Sequence, residues 1–507
     1  MRKKLILALI AVLLLGVSCL GQQTPAKITI LHTNDMHGAY LPTVATWEKE
    51  KPMVGGFTAL DYYVRQERAK SPNSLLLDAG DLMTGTLICD MKYQGVYGGA
   101  LMHMMDLIGY QGWVFGNHDF DKGVDNLRGM MKLAKFPVYC ANFEKMDEKS
   151  KQPKLFIDEP YHIYEINGLR VGVIGLTYYP MAGMVAPEKL EGYNSTNPYS
   201  TAMKYVSEID SITDLIIVLS HLGIEPDREL AKSVKGIDLI VGGHSHTRLD
   251  TLERVNGVLI AQTGSNCRNL GRIDLTVAGD SVMAYASKLI PMYVSGITPD
   301  PTIAGLVDSF KSVIDKEYAV VIAQLQDRWE TQYRSESNIG DWFADAMKNR
   351  MKTDVAFLNS GGIRKNLDAG PVRKMDIYEI LPFDNKIVTF NLTGAELVKI
   401  AGHNVGLEKD SYNGSLQIAG LSYVWQGEND NPKLTSVSVN GVPVDTSKIY
   451  SVCSIDYVAD ANAEKYLGLK IVDIKSTDMG LTQLILEAVE NAGTIQSKIE
   501  GRMKKLP

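Results

Sequence analysis

The stretch Leu239-Ile240-Val241-Gly242-Gly243-His244-Ser245-His246 joins a short apolar run to a cluster rich in glycine and histidine. The same arrangement recurs four more times before residue 290: Ile28-Thr29-Ile30-Leu31 before Asn34-Asp35-Met36-His37, Leu75-Leu76-Leu77 before Asp78-Ala79-Gly80-Asp81, Trp113-Val114-Phe115 before Gly116-Asn117-His118-Asp119-Phe120-Asp121, and Leu215-Ile216-Ile217-Val218-Leu219 before Ser220-His221. Such runs are typical of strands buried on both faces, with helical segments at 56–70 and 199–209 between them. Sites in α/β layers lie beyond the strand ends, so we expect the five polar clusters to converge.

The composition sets limits on what the protein binds. The chain has 507 residues, 45% of them hydrophobic and 22% charged, which excludes a fibrous or wholly disordered protein. The formal net charge is −7. Because duplex binding needs a basic footprint, this acidic balance argues against a nucleic-acid duplex as a ligand. A small anion requires a site that supplies its own positive charge.

The N-terminus has the pattern of an export signal. Arg2-Lys3-Lys4 precedes an apolar run from Leu5 to Leu15, and small residues follow before Cys19. We expect a signal peptide over residues 1–19, since the apolar part is too short to span a bilayer. Cys19 resembles the lipid-bearing cysteine of bacterial lipoproteins, which implies a periplasmic or cell-surface protein anchored to a membrane through this residue. The alternative is a plain secreted protein that loses Cys19.

The other four cysteines, Cys89, Cys140, Cys267 and Cys453, contain no C-x-x-C pair, which argues against a thiolate zinc site. We expect them to be buried as small apolar side chains, and their pairing stays open.

The chain divides into two α/β parts. The first covers residues 27–295, and Pro299-Asp300-Pro301 interrupts the pattern before a predicted helix at 302–316, which places a linker at 296–320. The second part covers 321–500. It has predicted helices at 337–351, 394–401 and 481–491, and predicted strands at 354–358, 387–392, 436–439 and 450–455.

Five of the nine histidines lie in the strand-end clusters. A lone histidine after a strand is usually a satisfied polar residue, but five such loops are hard to explain as independent accidents. Imidazole, carboxylate and amide oxygen together suit zinc, manganese, iron or nickel. The residues expected at the site are Asp35, His37, Asp81, Asn117, His118, Asp121, His221, His244 and His246, with Asp119 taken as a loop acid.

Asp35-x-His37 and His244-x-His246 place alternate residues on one side of an extended segment. We therefore predict that Asp35, His37 and His246 hold one metal ion. Asn117, His221 and His244 hold the other, and Asp81 bridges the two. Two ions roughly 3.5–4 Å apart generate a hydroxide and hold both oxygens of an in-line displacement.

His118 is expected to donate a proton to a reacting oxygen while Asp121 holds its other ring nitrogen. The alternatives for His118 are a third ligand or a structural histidine.

Together these motifs resemble the calcineurin-like metallophosphoesterases. More narrowly they resemble the 5′-nucleotidase family, which includes periplasmic UDP-sugar hydrolases and 2′,3′-cyclic-nucleotide phosphodiesterases. The match runs in order from Lys27 to Ile290. The resemblance implies a four-layer α/β/β/α catalytic domain, a dinuclear metal site and a second α/β domain that binds substrate and can rotate to close the cleft.

The second domain matches this family less closely. Asn359-Ser360-Gly361-Gly362-Ile363-Arg364 matches the family's Asn-x-Gly-Gly-Ile-Arg, which implies that Arg364 contacts phosphate; a solvated surface charge is the alternative. The segment Leu381-Pro382-Phe383-Asp384-Asn385 matches a landmark that we expect to be structural.

The family often clamps a nucleobase between two aromatic rings. Here Ser415, not an aromatic residue, precedes Leu416-Gln417-Ile418-Ala419-Gly420. Tyr457 fits the second ring position, although it can equally be a core residue, and Asp460-Ala461-Asn462-Ala463-Glu464 replaces a glycine-rich stretch. Candidates to replace the missing ring are Tyr412, Tyr423 and Trp425.

The sequence thus predicts a phosphohydrolase that uses two divalent ions, zinc or manganese, and favours nucleoside 5′-monophosphates. Asn117, Arg364 and Tyr457 are its expected substrate contacts. Alternatives with the same metals are a 2′,3′-cyclic-nucleotide phosphodiesterase and a UDP-sugar hydrolase. A thiosulfohydrolase shares the fold, but no residue here favours it. An alternative of another class is a non-catalytic surface lipoprotein that binds nucleotides or a partner.

Overall fold

The computed structural model describes residues 25–45, 47–182, 184–383, 385–407, 414–427 and 433–506. The predicted signal peptide at 1–19, Cys19, Asp384 and Tyr412 therefore lie outside the described residues. Over those ranges, no helix combines the length and the apolar character needed to cross a membrane.

Two sheets form the centre of the first domain. The first sheet has five strands, in the spatial order Val282–Pro291, Asn269–Val277, Ala26–Thr33, Ser74–Asp78 and Gly112–Trp113. The second sheet has six strands, in the order Tyr161–Ile166, Leu169–Leu176, Leu215–Ser220, Leu239–Gly242, Val258–Ala261 and Glu253–Val255. The strands that precede the polar clusters run parallel to their neighbours within each sheet, so their carboxyl ends lie at one edge.

The side-chain alternation of the strand Leu215–Ser220 shows how the layers stack. Leu215, Ile217 and Leu219 join the core shared with Leu75–Leu77 of the first sheet. Ile216 and Val218 face the other way, into a separate core shared with the flanking helices. A strand buried on both faces needs a layer on each side. This confirms the four-layer α/β/β/α architecture.

Helices and short strands complete the first domain. Its helices are Phe57–Lys70, Gly99–Ile108, Val124–Leu133, Pro187–Leu190, Pro198–Ile209 and Ile224–Ser233, with 3₁₀ turns at Leu87–Asp90, His118–Phe120 and Asp210–Ile212. Its short strands are Thr43–Val44, Met53–Val54, Lys92–Tyr93, Val96–Tyr97, Phe143–Met146, Pro153–Leu155 and Asn194–Ser195.

The connecting helix spans Pro301–Tyr318, slightly longer than predicted. It begins where the Asp300 side chain accepts hydrogen bonds from the backbone N–H groups of Thr302 (2.8 Å) and Ile303 (3.3 Å), with proline at the first helical position. Ile303 and Val307 are buried against the core of the first domain. The helix is therefore packed onto the first domain.

The second domain is a mixed α/β unit. Its five-stranded sheet has the order Leu416–Ala419, Val355–Asn359, Ile449–Ile455, Lys386–Thr393 and Lys475–Gly480. A four-stranded sheet has the order Val442–Pro443, Lys433–Val439, Leu421–Gln426 and Met503–Lys505. A three-stranded sheet has the order Gly370–Arg373, Val321–Leu325 and Thr494–Ile495. Its helices are Asn338–Met351, Lys374–Ile380, Gly394–Leu407, Ala463–Leu467 and Leu481–Ala492, with a 3₁₀ turn at Ser360–Gly362 and a π-helical turn at Tyr457–Ala461.

Cys89, Cys140, Cys267 and Cys453 are all buried and unpaired, as expected for small apolar side chains.

Candidate active site

The five polar clusters meet, and they form two groups of possible metal ligands. The first donor set is Asp35, His37 and His246, and the second donor set is Asp81, His221 and His244. Within each set the ligand atoms lie within 4.8 Å of one another. The two groups bring together six of the seven predicted metal ligands, and Asp81, predicted to bridge the two ions, lies in the second group.

In the first donor set, His37 is oriented by the backbone. Its Nδ1 lies 2.9 Å from the carbonyl oxygen of Thr84 and therefore donates, which leaves the lone pair on Nε2. Nε2 of His37 lies 2.9 Å from Nε2 of His246. The same His246 nitrogen lies 3.5 Å from Asp35 Oδ1. Two imidazole nitrogens at this distance need a proton or a cation between their lone pairs.

The second donor set repeats this arrangement. His221 Nδ1 donates to the carbonyl oxygen of Ala79 at 2.6 Å, and its Nε2 faces Asp81 Oδ2 at 3.1 Å. Burial lowers the pKa of His221, but the Asp81 carboxylate outweighs burial and raises it to about 10. Burial lowers the pKa of His244 to about 3, which keeps that imidazole neutral. The proton that His221 Nε2 shares with Asp81 marks a position that a divalent cation could take instead, and neutral His244 offers a further lone pair beside it.

Asn117 and His118 link the second donor set to the neighbouring loop. Asn117 Oδ1 lies 2.9 Å from Nδ1 of His244. The backbone N–H of His118 donates to Asp81 Oδ1 at 2.8 Å, so both oxygens of Asp81 face site groups. Asn117 and Asp81 are each 1% exposed. Asn117 and His244, which are predicted to share an ion, are therefore adjacent, and the ligand role of Asn117 stays a prediction.

The backbone differs from the expectation in one respect. Five residues of the two donor sets have left-handed backbone conformations: Asp35 (φ 49°), His37 (φ 49°), Asp81 (φ 55°), His244 (φ 72°) and His246 (φ 53°). The prediction that Asp35-x-His37 and His244-x-His246 share a face of an extended segment is therefore wrong. The paired side chains converge because the loops turn sharply, and such conformations are disfavoured for residues other than glycine.

Glycines let these loops approach one another. A Cβ atom at Gly116 would lie 2.2 Å from Asp81 Oδ1 and 2.4 Å from His221 Nε2. A Cβ at Gly243 would lie 2.7 Å from the carbonyl oxygen of Ala79. Side chains at these positions would collide with the donor sets, so the glycines of the motifs are required for close packing.

Asp119, taken from the sequence as a loop acid, has a larger role. It is fully buried, and its carboxylate accepts four backbone N–H bonds: from Asp81 (3.1 Å), Leu82 (3.1 Å), Met83 (3.0 Å) and Gly116 (2.8 Å). It therefore fixes the loop that carries Asp81 against the loop that carries Asn117. The spacing within Gly116-Asn117-His118-Asp119 was the available signal, but the sequence does not show the long-range bonds.

Asn34 and Gln262 support the other two loops in the same way. The Asn34 side chain donates to Asp35 Oδ2 at 2.6 Å and accepts from the Thr263 N–H at 2.8 Å. Gln262 Oε1 accepts from the Thr247 N–H at 2.6 Å, and its Nε2 donates to the Gly243 carbonyl at 2.9 Å. Gln262 thereby brackets the loop with His244 and His246.

His118 and Asp121 form the expected pair. His118 Nδ1 lies 2.9 Å from Asp121 Oδ2, which also accepts from Thr84 Oγ1 at 2.6 Å. Burial lowers the pKa of His118, but the carboxylates of Asp121 and Asp81 outweigh it and the net pKa is raised. The imidazole is thus favoured as a proton donor, and its Nε2 is the nitrogen left for a substrate.

Phe383 connects the second domain to this pair. Its ring stacks on the His118 ring with centroids 5.5 Å apart and an interplanar angle of 28°, and the Arg364 guanidinium lies 5.8 Å from its centroid. Arg364 is exposed. Burial lowers the pKa values of His37 and His246, and the Arg364 charge lowers both further, so this charge acts on the first donor set. The segment expected to be structural therefore contributes a ring to the site.

The predicted base-binding region holds several tyrosines. Tyr457 is half-buried and its ring centroid lies 6.0 Å from that of Tyr466. Tyr423 and Trp425 are 1% and 2% exposed, so they belong to the core and cannot supply the missing ring. Ser415 donates its N–H to the carbonyl oxygen of Tyr333 at 2.9 Å, and Tyr333 is 42% exposed. Tyr333, which the sequence did not single out, is thus an exposed ring next to the position where the family has its aromatic residue.

Two family models match the chain. The model for calcineurin-like phosphoesterases matches residues 28–248, and the model for the 5′-nucleotidase C-terminal domain matches residues 320–467.

Relatives and a solved structure match over most of the chain. The trifunctional nucleotide phosphoesterase protein YfkN of Bacillus subtilis is 27% identical over 94% of this chain, which spans only 35% of that longer protein. Protein UshA of Yersinia enterocolitica is 28% identical, with 85% of each chain covered. The crystal structure of a 5′-nucleotidase precursor from Thermus thermophilus superposes with a TM-score of 0.81 at 27% identity, over 95% of this chain and 99% of that one. The chain belongs to the 5′-nucleotidase family, in which a calcineurin-like phosphoesterase domain precedes the 5′-nucleotidase C-terminal domain.

Proposed function

We propose that this protein is a metal-dependent phosphohydrolase that removes phosphate from nucleoside 5′-monophosphates. The observation that carries the proposal is the convergence of two three-residue donor sets at one edge of the two central sheets. The family assignment and the 5′-nucleotidase and nucleotide phosphoesterase names of its relatives support the same reaction class.

The metal ligands are proposed as follows. Asp35, His37 and His246 hold one divalent ion, and Asn117, His221 and His244 hold the other. Asp81 would serve both ions, and zinc or manganese would suit these positions, because the donors are imidazole and oxygen without thiolate. Ions bound there acidify water and neutralise charge on a phosphoryl group.

The remaining site residues act directly on the substrate. Asp121 holds Nδ1 of His118, so the His118 Nε2–H donates to a phosphoryl oxygen or to the leaving oxygen. Arg364 offers two parallel N–H donors to phosphate oxygens. Asn117 contacts the phosphate beside the second donor set, and Tyr457 contacts the nucleobase. Phe383, stacked on His118, keeps the Arg364 side of the site close to the reacting group.

A substrate panel tests the reaction class and the substrate. Loss of each substrate and formation of its products are measured by chromatography for AMP, UDP-glucose and 2′,3′-cyclic AMP, with manganese or zinc added to purified protein. Free phosphate is measured beside them, because opening the cyclic diester or splitting UDP-glucose yields phosphate monoesters and no free phosphate. We expect AMP to be hydrolysed fastest. A preference for 2′,3′-cyclic AMP would assign a phosphodiesterase. A preference for UDP-glucose would assign a sugar-nucleotide hydrolase. Hydrolysis of none of them, before and after chelation and readdition of metal, would leave a non-catalytic nucleotide-binding protein.

His221→Ala tests the assigned site. The variant removes a ligand of the second donor set, and we expect AMP hydrolysis to be lost while the circular dichroism spectrum is unchanged. His162→Ala is the matched control, since His162 lies on the edge strand Tyr161–Ile166. Full turnover by His221→Ala with metal present would refute the ligand assignment.

We also propose that residues 1–19 are an export signal and that Cys19 carries a lipid anchoring the protein on the periplasmic side or at the cell surface. The catalytic domain is proposed to cover 27–295, the linker 296–320 and the substrate-binding domain 321–500. Cys19→Ala should release the protein from membranes, as measured by fractionation of cells. Retention of this variant in the membrane fraction would exclude the anchor.

A further inference from the structure

We propose that Tyr178 is a positioning residue that holds the His244 imidazole in the orientation required by the second donor set. Tyr178 directly follows the strand Leu169–Leu176 and the buried Thr177. Its ring centroid lies 4.2 Å from that of His244, at an interplanar angle of 42°. Tyr178 thus touches a proposed metal ligand without being one.

His244 needs such support more than His37 and His221 do. His37 and His221 are 3% and 0% exposed, and each donates from Nδ1 to a backbone carbonyl. His244 is only half-buried, and its Nδ1 faces the side chain of Asn117 instead. A ring held through one nitrogen can pivot about that contact. The rings of Tyr178 and of His221, whose centroid is 5.3 Å away, limit this motion.

Hydrogen bonds of the preceding residue fix the backbone at Tyr178, so its ring is held in place against the His244 ring. The preceding residue, Thr177, donates from its backbone N–H to Asn142 Oδ1 at 2.8 Å and from Oγ1 to the Phe115 carbonyl at 2.7 Å. Phe115 lies on the chain segment that leads to Asn117. Tyr178 is thereby tied to the loop that supplies the hydrogen-bond partner of His244.

The expected consequence is a loss of metal affinity confined to one of two sites. Removing residues that orient metal ligands typically costs 10–100-fold in metal affinity. Tyr178→Ala should weaken binding of the ion at the second donor set about 10-fold and leave the first donor set unchanged. Tyr178→Phe keeps the ring and should bind both ions like the wild type, because the inferred contact is ring packing.

The test is a titration of metal-free protein with manganese, followed by electron paramagnetic resonance and calorimetry. Tyr285→Ala is the matched control, since Tyr285 is a 45% exposed tyrosine of the same domain on the edge strand Val282–Pro291. Equal affinity of Tyr178→Ala and wild type for both ions would overturn the proposal. Equal weakening by Tyr178→Phe would overturn it too, because the hydroxyl group would then carry the effect.

Two further points keep the experiment decisive. If Tyr178→Ala does not fold, Tyr178→Leu, which keeps apolar volume without the planar ring, is titrated instead with the same expected weakening. The titration uses manganese alone, so its outcome does not depend on which phosphate ester is the substrate. Failure of the nucleotide panel would therefore leave the role of Tyr178 standing, and failure of the titration would leave the proposed reaction standing.

Discussion

The substitution Asp119→Asn tests whether the site depends on one buried carboxylate that is not itself a proposed metal ligand. Asp119 accepts N–H bonds from Asp81 and Gly116 on one oxygen, and from Leu82 and Met83 on the other. An asparagine keeps one acceptor oxygen and replaces the other with an NH₂ group. Two backbone N–H groups then face the NH₂ group, which is itself a donor, so they are left without an acceptor at a fully buried position.

The size of the effect follows from those two groups. A buried donor without an acceptor costs about 1–3 kcal/mol, so Asp119→Asn should lower the free energy of unfolding by about 2–6 kcal/mol. Burial and the nearby Asp81 raise the pKa of Asp119 to about 7, against the effect of the N–H groups, so the stability difference is measured at pH 8, where the ionised form dominates. A shift of the Asp81 loop by about 1 Å should lower kcat about 100-fold.

Urea unfolding followed by tryptophan fluorescence measures the first effect, and AMP hydrolysis measures the second. Asp125→Asn is the control, since Asp125 lies on the same domain but its side chain is 86% exposed. Wild-type stability and wild-type kcat in Asp119→Asn would show that the four N–H bonds are not needed, and the reasoning about the Asp81 loop would be wrong.

Three further predictions concern the metal ions, the phosphate contact and the ion pairs. Chelation with EDTA should lower the free energy of unfolding by about 2.7 kcal/mol for each ion whose free concentration was 100 times its Kd. Adding manganese should restore the stability. An unchanged melting temperature would exclude metal bound at the folded site. Arg364→Ala should lower kcat/KM for AMP about 10–100-fold and Arg364→Lys should recover only part, since an ammonium cannot form two parallel bonds; full recovery by lysine would argue against paired contacts. Burial raises the pKa of Glu67, but hydrogen bonds from Lys70, Lys288 and Arg272 outweigh burial, and the net pKa is lowered. The ionised carboxylate therefore stabilises the folded protein at a pH above its pKa in the unfolded chain, which is about 4.3. This stabilisation is lost as the pH falls through the pKa of Glu67 in the folded protein. Glu67→Gln should therefore destabilise the protein by about 1–3 kcal/mol at pH 7 and by less as the pH falls below 4; a difference independent of pH would refute the ion-pair explanation.

The strands and the site could be predicted because each depends on a local pattern. Leu215–Leu219 is apolar throughout, and the structure continues that strand by one residue to Ser220. Polar clusters at strand ends share one edge of a sheet whatever the details of the loops, so their convergence follows from the fold class. Helix ends were less accessible. The helix predicted at 394–401 extends to Leu407 through Gly402, because Asn404 and Val405 are buried on the same helix and tertiary packing outweighs the low helix propensity of glycine.

The supporting residues could not be predicted, because their partners are distant in the chain. Asp119 bonds to the loop of residues 81–83, and Tyr178 packs on His244. Tyr333 meets Ser415 only after the second domain has folded. Tyr178 and Tyr333 stand in no pattern that periodicity or composition detects, and the cluster that contains Asp119 does not show which distant N–H groups its carboxylate accepts. The sequence thus predicted which polar side chains converge at the strand ends, but it missed contacts that hold their loops in place.

The left-handed backbone conformations in the donor sets explain why several buried side chains form hydrogen bonds to these loops. Each non-glycine residue in this conformation costs on the order of 1 kcal/mol, so the five in the donor sets cost roughly 5 kcal/mol, which is comparable to the whole stability of a small domain. An unsupported loop would relax to ordinary backbone angles and move its ligand away. Asp119 holds the loop of Asp81, Asn34 that of Asp35, and Gln262 that of His244 and His246. Because those bonds are formed within the chain itself, they offset part of the cost of the five conformations, and bound ions need not supply all of it.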